Sequence, residues 1–70
     1  MSIGSETLKI LANSGVNLEV GPNFGAETLK TVVRLAVSQG AHITVDATQL
    51  GSETVKILAS IGGKNLTLKV

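Results

Sequence analysis

The chain has 70 residues, no cysteine and a single histidine, His42, and its six Lys/Arg and five Asp/Glu leave a net charge of +1. A chain of this length forms at most one small domain, and these counts exclude disulfides, thiolate metal sites and multi-histidine zinc sites. The chain has no basic block and only one aromatic residue, Phe24, which argues against a nucleic-acid partner. Its apolar runs are too short to span a membrane.

An internal repeat dominates the sequence. Residues 4–12 read GSETLKILA, residues 51–59 read GSETVKILA, and a shorter copy, GAETLK, occupies residues 25–30. Short periodic chains are typical of repeat architectures, in which each unit packs on its neighbours. We therefore predict one domain, residues 1–70, made of three helix-strand units at 4–20, 25–47 and 51–70.

The first unit predicts a helix followed by a strand. Its helical part carries a short apolar stripe, formed by Leu8, Leu11 and Ala12. Ser5 is the expected N-cap and Glu6 lies in the first turn, where a carboxylate meets the positive end of the helix. Gly15 suits the end of the helix, and residues 18–20 alternate with the period of a strand.

The second unit carries the longest helical stripe, formed by Leu29, Val32, Val33, Ala36 and Val37. These residues recur at i, i+3, i+4, i+7 and i+8 and therefore lie on one side of a helix. Glu27 falls in the expected first turn and Gly40 follows the stripe, as at a helix end. Residues 43–45 alternate as the second strand.

The third unit repeats this order. Its stripe is formed by Val55, Leu58 and Ala59. Ser52 is the expected N-cap with Glu53 in the first turn, and the Gly62-Gly63 pair suits the helix end. Residues 66–70 alternate apolar and polar side chains and predict the last strand.

Alternation in the strands decides the layering. Helix-strand order repeated three times predicts an α/β fold with parallel strands and right-handed crossovers. A sheet covered on both faces has strands that are apolar throughout, whereas one face here is polar and carries Asn17, Glu19, His42, Thr44, Asp46, Asn65, Thr67 and Lys69. We therefore expect a short βα solenoid, three parallel strands with three helices on one face. The expected core is Leu8, Leu11, Leu18, Val20, Leu29, Val32, Val33, Ala36, Ile43, Val45, Leu50, Val55, Leu58, Leu66 and Leu68.

Two segments resemble the leucine-rich-repeat core, L-x-L-x-x-N-x-L: L-x-V-x-x-N at residues 18–23 and I-x-V-x-x-T-x-L at residues 43–50. Residues 49–59 are similar to the helical half of the ribonuclease-inhibitor-like subclass. The strands begin 25 and 23 residues apart, within the ~20–29 of such repeats. The resemblance implies a strand-lined surface that binds protein partners. Its expected residues are Glu19, Thr44 and Thr67 at the centre, flanked by His42, Asp46 and Lys69.

Two further segments invite a chemical interpretation. His42, Thr44 and Asp46 alternate on one strand, but Cα atoms of i and i+2 lie ~6.6 Å apart. That spacing suits a row on a surface better than a hydrogen-bonded relay, so no catalytic residue is expected. The loop at residues 21–25 precedes a helix, where N–H groups can hold an anion, although no phosphate-loop motif is present. The residues of this weak anion site are Asn23, Gly25 and Ala26.

These observations predict a non-catalytic protein-interaction or self-assembly module, without cofactor or metal. It would form homo-oligomers through exposed sheet edges or through the polar sheet face. One alternative is a small anion- or nucleotide-binding domain that uses the strand-to-helix loops; another is a fragment or engineered repeat without separate activity. Because residues 1–3 lead directly into the first repeat, no signal peptide is expected, and the expected location is cytoplasmic.

Overall fold

The computed structural model describes residues 4–70, and residues 1–3, on which the expected location depends, lie outside the described residues. Helices and strands alternate along the chain as predicted. The helices are α1 (Ser5–Asn13), α2 (Ala26–Ser38) and α3 (Ser52–Gly62), and a 3₁₀ turn at Gly63–Asn65 follows α3. The strands are β1 (Leu18–Val20), β2 (Ile43–Asp46) and β3 (Leu66–Lys69).

The three strands form one parallel sheet in the order β1-β2-β3. Leu18 pairs with Ile43, which pairs with Leu66, so the first apolar residue of each strand lies in one row across the sheet. The predicted α/β class with a three-stranded parallel sheet is confirmed. Because strands that follow each other in sequence also lie side by side, β1 and β3 are the two edges.

All three helices cover the same face of the sheet. Val20, Ile43 and Val45 are at most 3% exposed and join one apolar cluster with residues of α1, α2 and α3. Glu19, between two core-facing residues of β1, is exposed. A strand turns alternate side chains to opposite faces, so the helices cover the apolar side and the polar side chains point away from them.

The helix starts correct one detail of the prediction. The N-caps are Gly4, Gly25 and Gly51, each with extended backbone. The expected N-caps Ser5 and Ser52 are instead the first helical residues. The repeated glycine turns the chain into each helix, and serine follows too late to cap it. The expected first-turn carboxylates are confirmed: Glu6, Glu27 and Glu53.

The expected core residues of the middle unit are all buried, whereas in the outer units only Leu8, Val20 and Leu58 are buried as expected. Leu29, Val32 and Val33 are fully buried, as are Ile43 and Val45. Other expected core residues are only half-buried: Leu11, Leu18, Leu50, Val55, Leu66 and Leu68. Three alanines are also buried without having been placed in the core: Ala12, Ala41 and Ala47.

Ala59, which was placed on the third apolar stripe, is exposed. Its counterpart in α1, Ala12, is fully buried. The two nonapeptides differ at a single position, so the contrast comes from their neighbours: α2 packs beside α1, and within residues 4–70 no helix follows α3.

Gly62 allows the end of α3 to approach β3. It is buried, and a Cβ at this position would collide with the side chain of Leu66. The chain then turns at Gly63, whose φ of 53° favours glycine. The absence of a side chain at Gly62 therefore permits the close approach of Leu66, the first residue of β3, to the end of α3.

Gly62→Ala is predicted to lower the free energy of unfolding by about 1–3 kcal/mol, because the added methyl group overpacks a filled site. Urea unfolding followed by circular dichroism measures the change. The matched control is Gly51→Ser, since a Cβ at Gly51 meets nothing within 4 Å and serine is a good N-cap; its effect should stay within about 0.5 kcal/mol. Equal stability of both variants and the wild type would contradict this account.

Candidate functional site

The six residues predicted to bind a partner lie together on the polar sheet face. Glu19, Thr44 and Thr67 form one row across the three strands, and Asp46 pairs with Lys69 in the next row but one. His42 directly precedes β2 and is exposed. Their grouping is a consequence of the strand register, while their role in binding stays a prediction.

A salt bridge crosses this face from one edge strand to the other. The Lys69 Nζ lies 3.0 Å from a Glu19 carboxylate oxygen, with side-chain exposures of 52% and 71%. At such exposure an ion pair contributes only about 0–1 kcal/mol to stability. Its effect is to engage two of the charged groups that a partner would otherwise meet as free charges.

The His42 side chain contacts the edge strand β3 and not Thr44 or Asp46, the residues with which it alternates along the chain. Its Nε2 lies 2.7 Å from the Thr67 Oγ1, in hydrogen-bond contact across the gap between β2 and β3. Asp46 bonds to Thr48 instead. The alternating residues His42, Thr44 and Asp46 are therefore not linked to one another by the hydrogen bonds of this face.

Asp46 closes a tight turn at the end of β2. Its Oδ1 accepts hydrogen bonds from the Thr48 hydroxyl at 2.6 Å and from the Thr48 backbone N–H at 3.0 Å. These bonds, the hydroxyl first, hold the pKa of Asp46 below its ordinary value, and Lys69 adds a smaller effect in the same direction. Thr48 was not among the predicted site residues, although a hydroxyl two positions after aspartate is a signal for this turn.

Thr48→Val is predicted to raise the pKa of Asp46 towards its ordinary value. The substitution removes the Thr48 hydroxyl, whose hydrogen bond is the largest cause of the lowered pKa. Since the folded pKa is depressed, ionised Asp46 stabilises the fold above about pH 4. This contribution is lost as the pH falls through the folded pKa. Carboxyl carbon chemical shifts followed against pH measure the pKa, and Thr44→Val, which removes a neighbouring hydroxyl, is the control. An unchanged Asp46 titration in Thr48→Val would refute the assignment.

Two asparagines hold the peptide group that leads into β2. The Asn17 Oδ1 accepts a hydrogen bond from the His42 N–H at 2.9 Å, and the Asn65 Nδ2 donates to the Ala41 carbonyl at 3.2 Å. The His42 N–H and the Ala41 C=O belong to one peptide. Asn17, His42 and Asn65 each directly precede a strand. Their equivalent positions in the three units were therefore the sequence signal that pointed to this contact.

The outer edges of the sheet present backbone groups that the sheet itself does not use. The Leu18 N–H donates to the His42 carbonyl, and the Ala47 N–H donates to the Lys69 carbonyl. Because successive residues of a parallel strand direct their backbone groups to alternate sides, Glu19 and Leu68 direct theirs outwards. Among residues 4–70 no strand pairs with either outer edge.

The residues of the candidate anion site lie at the start of α2. Asn23 is exposed, Gly25 is the N-cap and Ala26 is the first helical residue. The Glu27 carboxylate lies in the same first turn and forms an ion pair with Lys30 at 3.4 Å. An anion here would share the positive helix end with a carboxylate, and anion binding stays a prediction.

Residues 4–70 contain neither a ligand-sized cavity nor a group of three or more side chains suited to hold a metal ion. None of the described helices has both the length and the apolar character needed to cross a bilayer.

Comparison with models of protein families, with curated proteins and with solved structures found no match for this chain. The resemblance to leucine-rich repeats therefore depends on the motifs of the strands and helices alone and stays a prediction.

Proposed function

We propose that this chain is a non-catalytic self-assembly module that associates with copies of itself through the two open ends of its βα repeat. In this proposal the units form a leucine-rich-repeat-like solenoid that continues from one molecule to the next. The observation that carries the proposal is the sheet order β1-β2-β3, which leaves one open parallel edge at each end. An open edge is a template for another strand.

The contacts of the polar face favour the edges over that face as the interface. Lys69 bonds to Glu19, His42 to Thr67, and Asp46 to a residue of its own turn. A partner that docked on this face would have to compete with these bonds. The outward backbone groups of Glu19 and Leu68 have no such competition within the sheet.

The size of the ends indicates that helices take part in the association. A stable interface buries about 800 Å² on each partner, roughly a fifth of the 4151 Å² accessible surface of the chain. β1 has three residues and β3 has four, so an edge strand spans only ~10–14 Å. The proposed interface therefore includes α1 at one end and α3 at the other.

Association would also complete the core. Leu11 and Leu18 at one end, and Val55 and Leu66 at the other, are half-buried apolar residues. Removing their remaining surface from water stabilises by about 25 cal/mol per Å². A domain of this size has a core worth only about 3–5 kcal/mol, so this additional burial is a substantial gain.

Glu19→Pro tests the edge contact, because it removes the outward N–H without removing a bond of the internal sheet, and proline is tolerated at such edge positions. Sedimentation velocity from low micromolar to millimolar concentration should show association of the wild type and of the control Glu19→Gln, which keeps the N–H. Glu19→Pro should stay monomeric, with its fold checked by circular dichroism.

A wild type that remains monomeric at millimolar concentration would refute the proposed function. Thr44→Arg separates the two candidate surfaces, since it places a bulky charge at the centre of the polar face and leaves the edges unchanged. We expect Thr44→Arg to associate like the wild type. Loss of association in Thr44→Arg alone would assign the interface to the polar face instead.

A further inference from the structure

We infer that the copies join head to tail, with the α3–β3 end of one molecule seated on the α1–β1 end of the next, in the register that joins the units within the chain. The inference rests on the proposed function and specifies its interface. It follows from comparing equivalent positions of the three helices, counted from their N-caps Gly4, Gly25 and Gly51.

One set of helix positions faces the following unit. Ala12, Val33 and Ala59 each lie eight residues after the N-cap; the first two are 0% exposed, and Ala59 is exposed. The position four residues after the N-cap changes in the same direction. This position is occupied by Leu8 and Leu29, which are buried, and by Val55, which is half-buried. α1 and α2 are each followed by another helix, so these positions are covered by the next unit where one exists.

A second set faces the preceding unit and shows the opposite change. Val32 and Leu58, seven residues after the N-cap, are 0% exposed, whereas Leu11 in the first helix is half-buried. Threonines three residues after the N-cap follow the same rule: Thr7 is exposed, while Thr28 and Thr54 are half-buried. These positions are covered where a unit precedes them.

The two ends are therefore the two halves of one contact that the chain already makes twice. The α3 end presents Val55 and Ala59, and the α1 end presents Thr7 and Leu11. Within the chain the equivalent positions are covered where α1 packs on α2 and where α2 packs on α3. The side chains at these positions are uncharged at both ends and are of the same kinds as those that neighbouring units bring together within the chain, so the occupant of each end is a second copy of this chain.

The asparagine amides continue the same pattern at the sheet. An amide has an acceptor oxygen and a donor nitrogen. Within the chain the Asn17 Oδ1 accepts a hydrogen bond from the following unit, at the His42 N–H, and the Asn65 Nδ2 donates one to the preceding unit, at the Ala41 carbonyl. Within residues 4–70 neither the Asn17 Nδ2 nor the Asn65 Oδ1 forms a hydrogen bond. These are the two groups that a preceding and a following strand would engage.

At the joint these groups would repeat the intrachain bonds. The Asn65 Oδ1 of one copy accepts from the Asn17 N–H of the next, as the Asn17 Oδ1 accepts from His42 within the chain. The Asn17 Nδ2 of the next copy donates to the Lys64 carbonyl, as Asn65 donates to Ala41. Because the two surfaces differ, the contact is heterologous and generates rings or open filaments and not a closed twofold dimer.

Two end-blocked variants test this geometry. Thr7→Arg obstructs the α1 end and Ala59→Arg obstructs the α3 end, and both residues are exposed, so the monomer fold is preserved. Each variant alone should be monomeric. Their mixture should form a 1:1 heterodimer and nothing larger, through the one intact end of each molecule. Sedimentation velocity and native mass spectrometry measure the stoichiometry, and circular dichroism checks the fold.

Ser60→Arg is the matched control, because the equivalent residue of α2 is Arg34, which is exposed; it should associate like the wild type. If one blocked variant still dimerises alone and the mixture gives no heterodimer, the contact is symmetric and the head-to-tail inference fails. If the wild type associates and neither variant is affected, the inference fails while the proposed function stands. A wild type without association would refute the proposed function itself.

Asn17→Asp tests the amide contact. The carboxylate keeps an oxygen that accepts from the His42 N–H, but it lacks the Nδ2 donor and would face the Lys64 carbonyl of the preceding copy. The dissociation constant should rise about tenfold or more. Asn13→Asp makes the same charge change on α1, at a residue that bonds to Gln39 within the chain, and should leave association nearly unchanged. Equal dissociation constants for the two variants would remove the amide contact from the joint.

Discussion

The structure depends on the burial of alternate strand residues beneath three helices on a single face of the sheet. Leu18, Ile43 and Leu66 lie in register, and the apolar residues two positions later do the same. A strand cannot turn successive side chains to the same side, so burying this set necessarily exposes the polar residues between them. The polar face follows from this arrangement, and the strand order β1-β2-β3 leaves an open edge at each end of the sheet.

A one-faced sheet with consecutive strands has a middle unit that is covered on both sides and two end units that are not. The middle helix buries Leu29, Val32 and Val33 completely, whereas α1 has only Ala12 and α3 only Leu58 among the fully buried apolar residues. In the outer units the same positions are covered on only one side each. The contact that we propose between molecules would bury the positions that the chain buries between its own units.

The side chains of the polar face act mainly across strands. Lys69 reaches Glu19 over the central strand, His42 contacts Thr67, and two asparagines hold one peptide of the central strand from both sides. Each of these contacts is brought together by the parallel register of the strands. The polar residues that recur at strand positions are thus bonded to neighbouring strands or, for Asp46, to their own turn.

The sequence by itself determined the secondary structure, the parallel sheet and the buried face, because periods of 3.6 and two are local properties of the side-chain order. The helix starts were predicted within one residue, but serine was taken as the N-cap where the structure has glycine, because both residue types are found at N-caps. Only the tertiary structure decided which copies of a repeated residue are buried. Ala12 and Ala59 lie in nearly identical nonapeptides, yet Ala12 is buried by the helix that packs beside it and Ala59 is exposed. Burial depends on what lies next to a residue in space, and an almost identical local sequence cannot encode that difference.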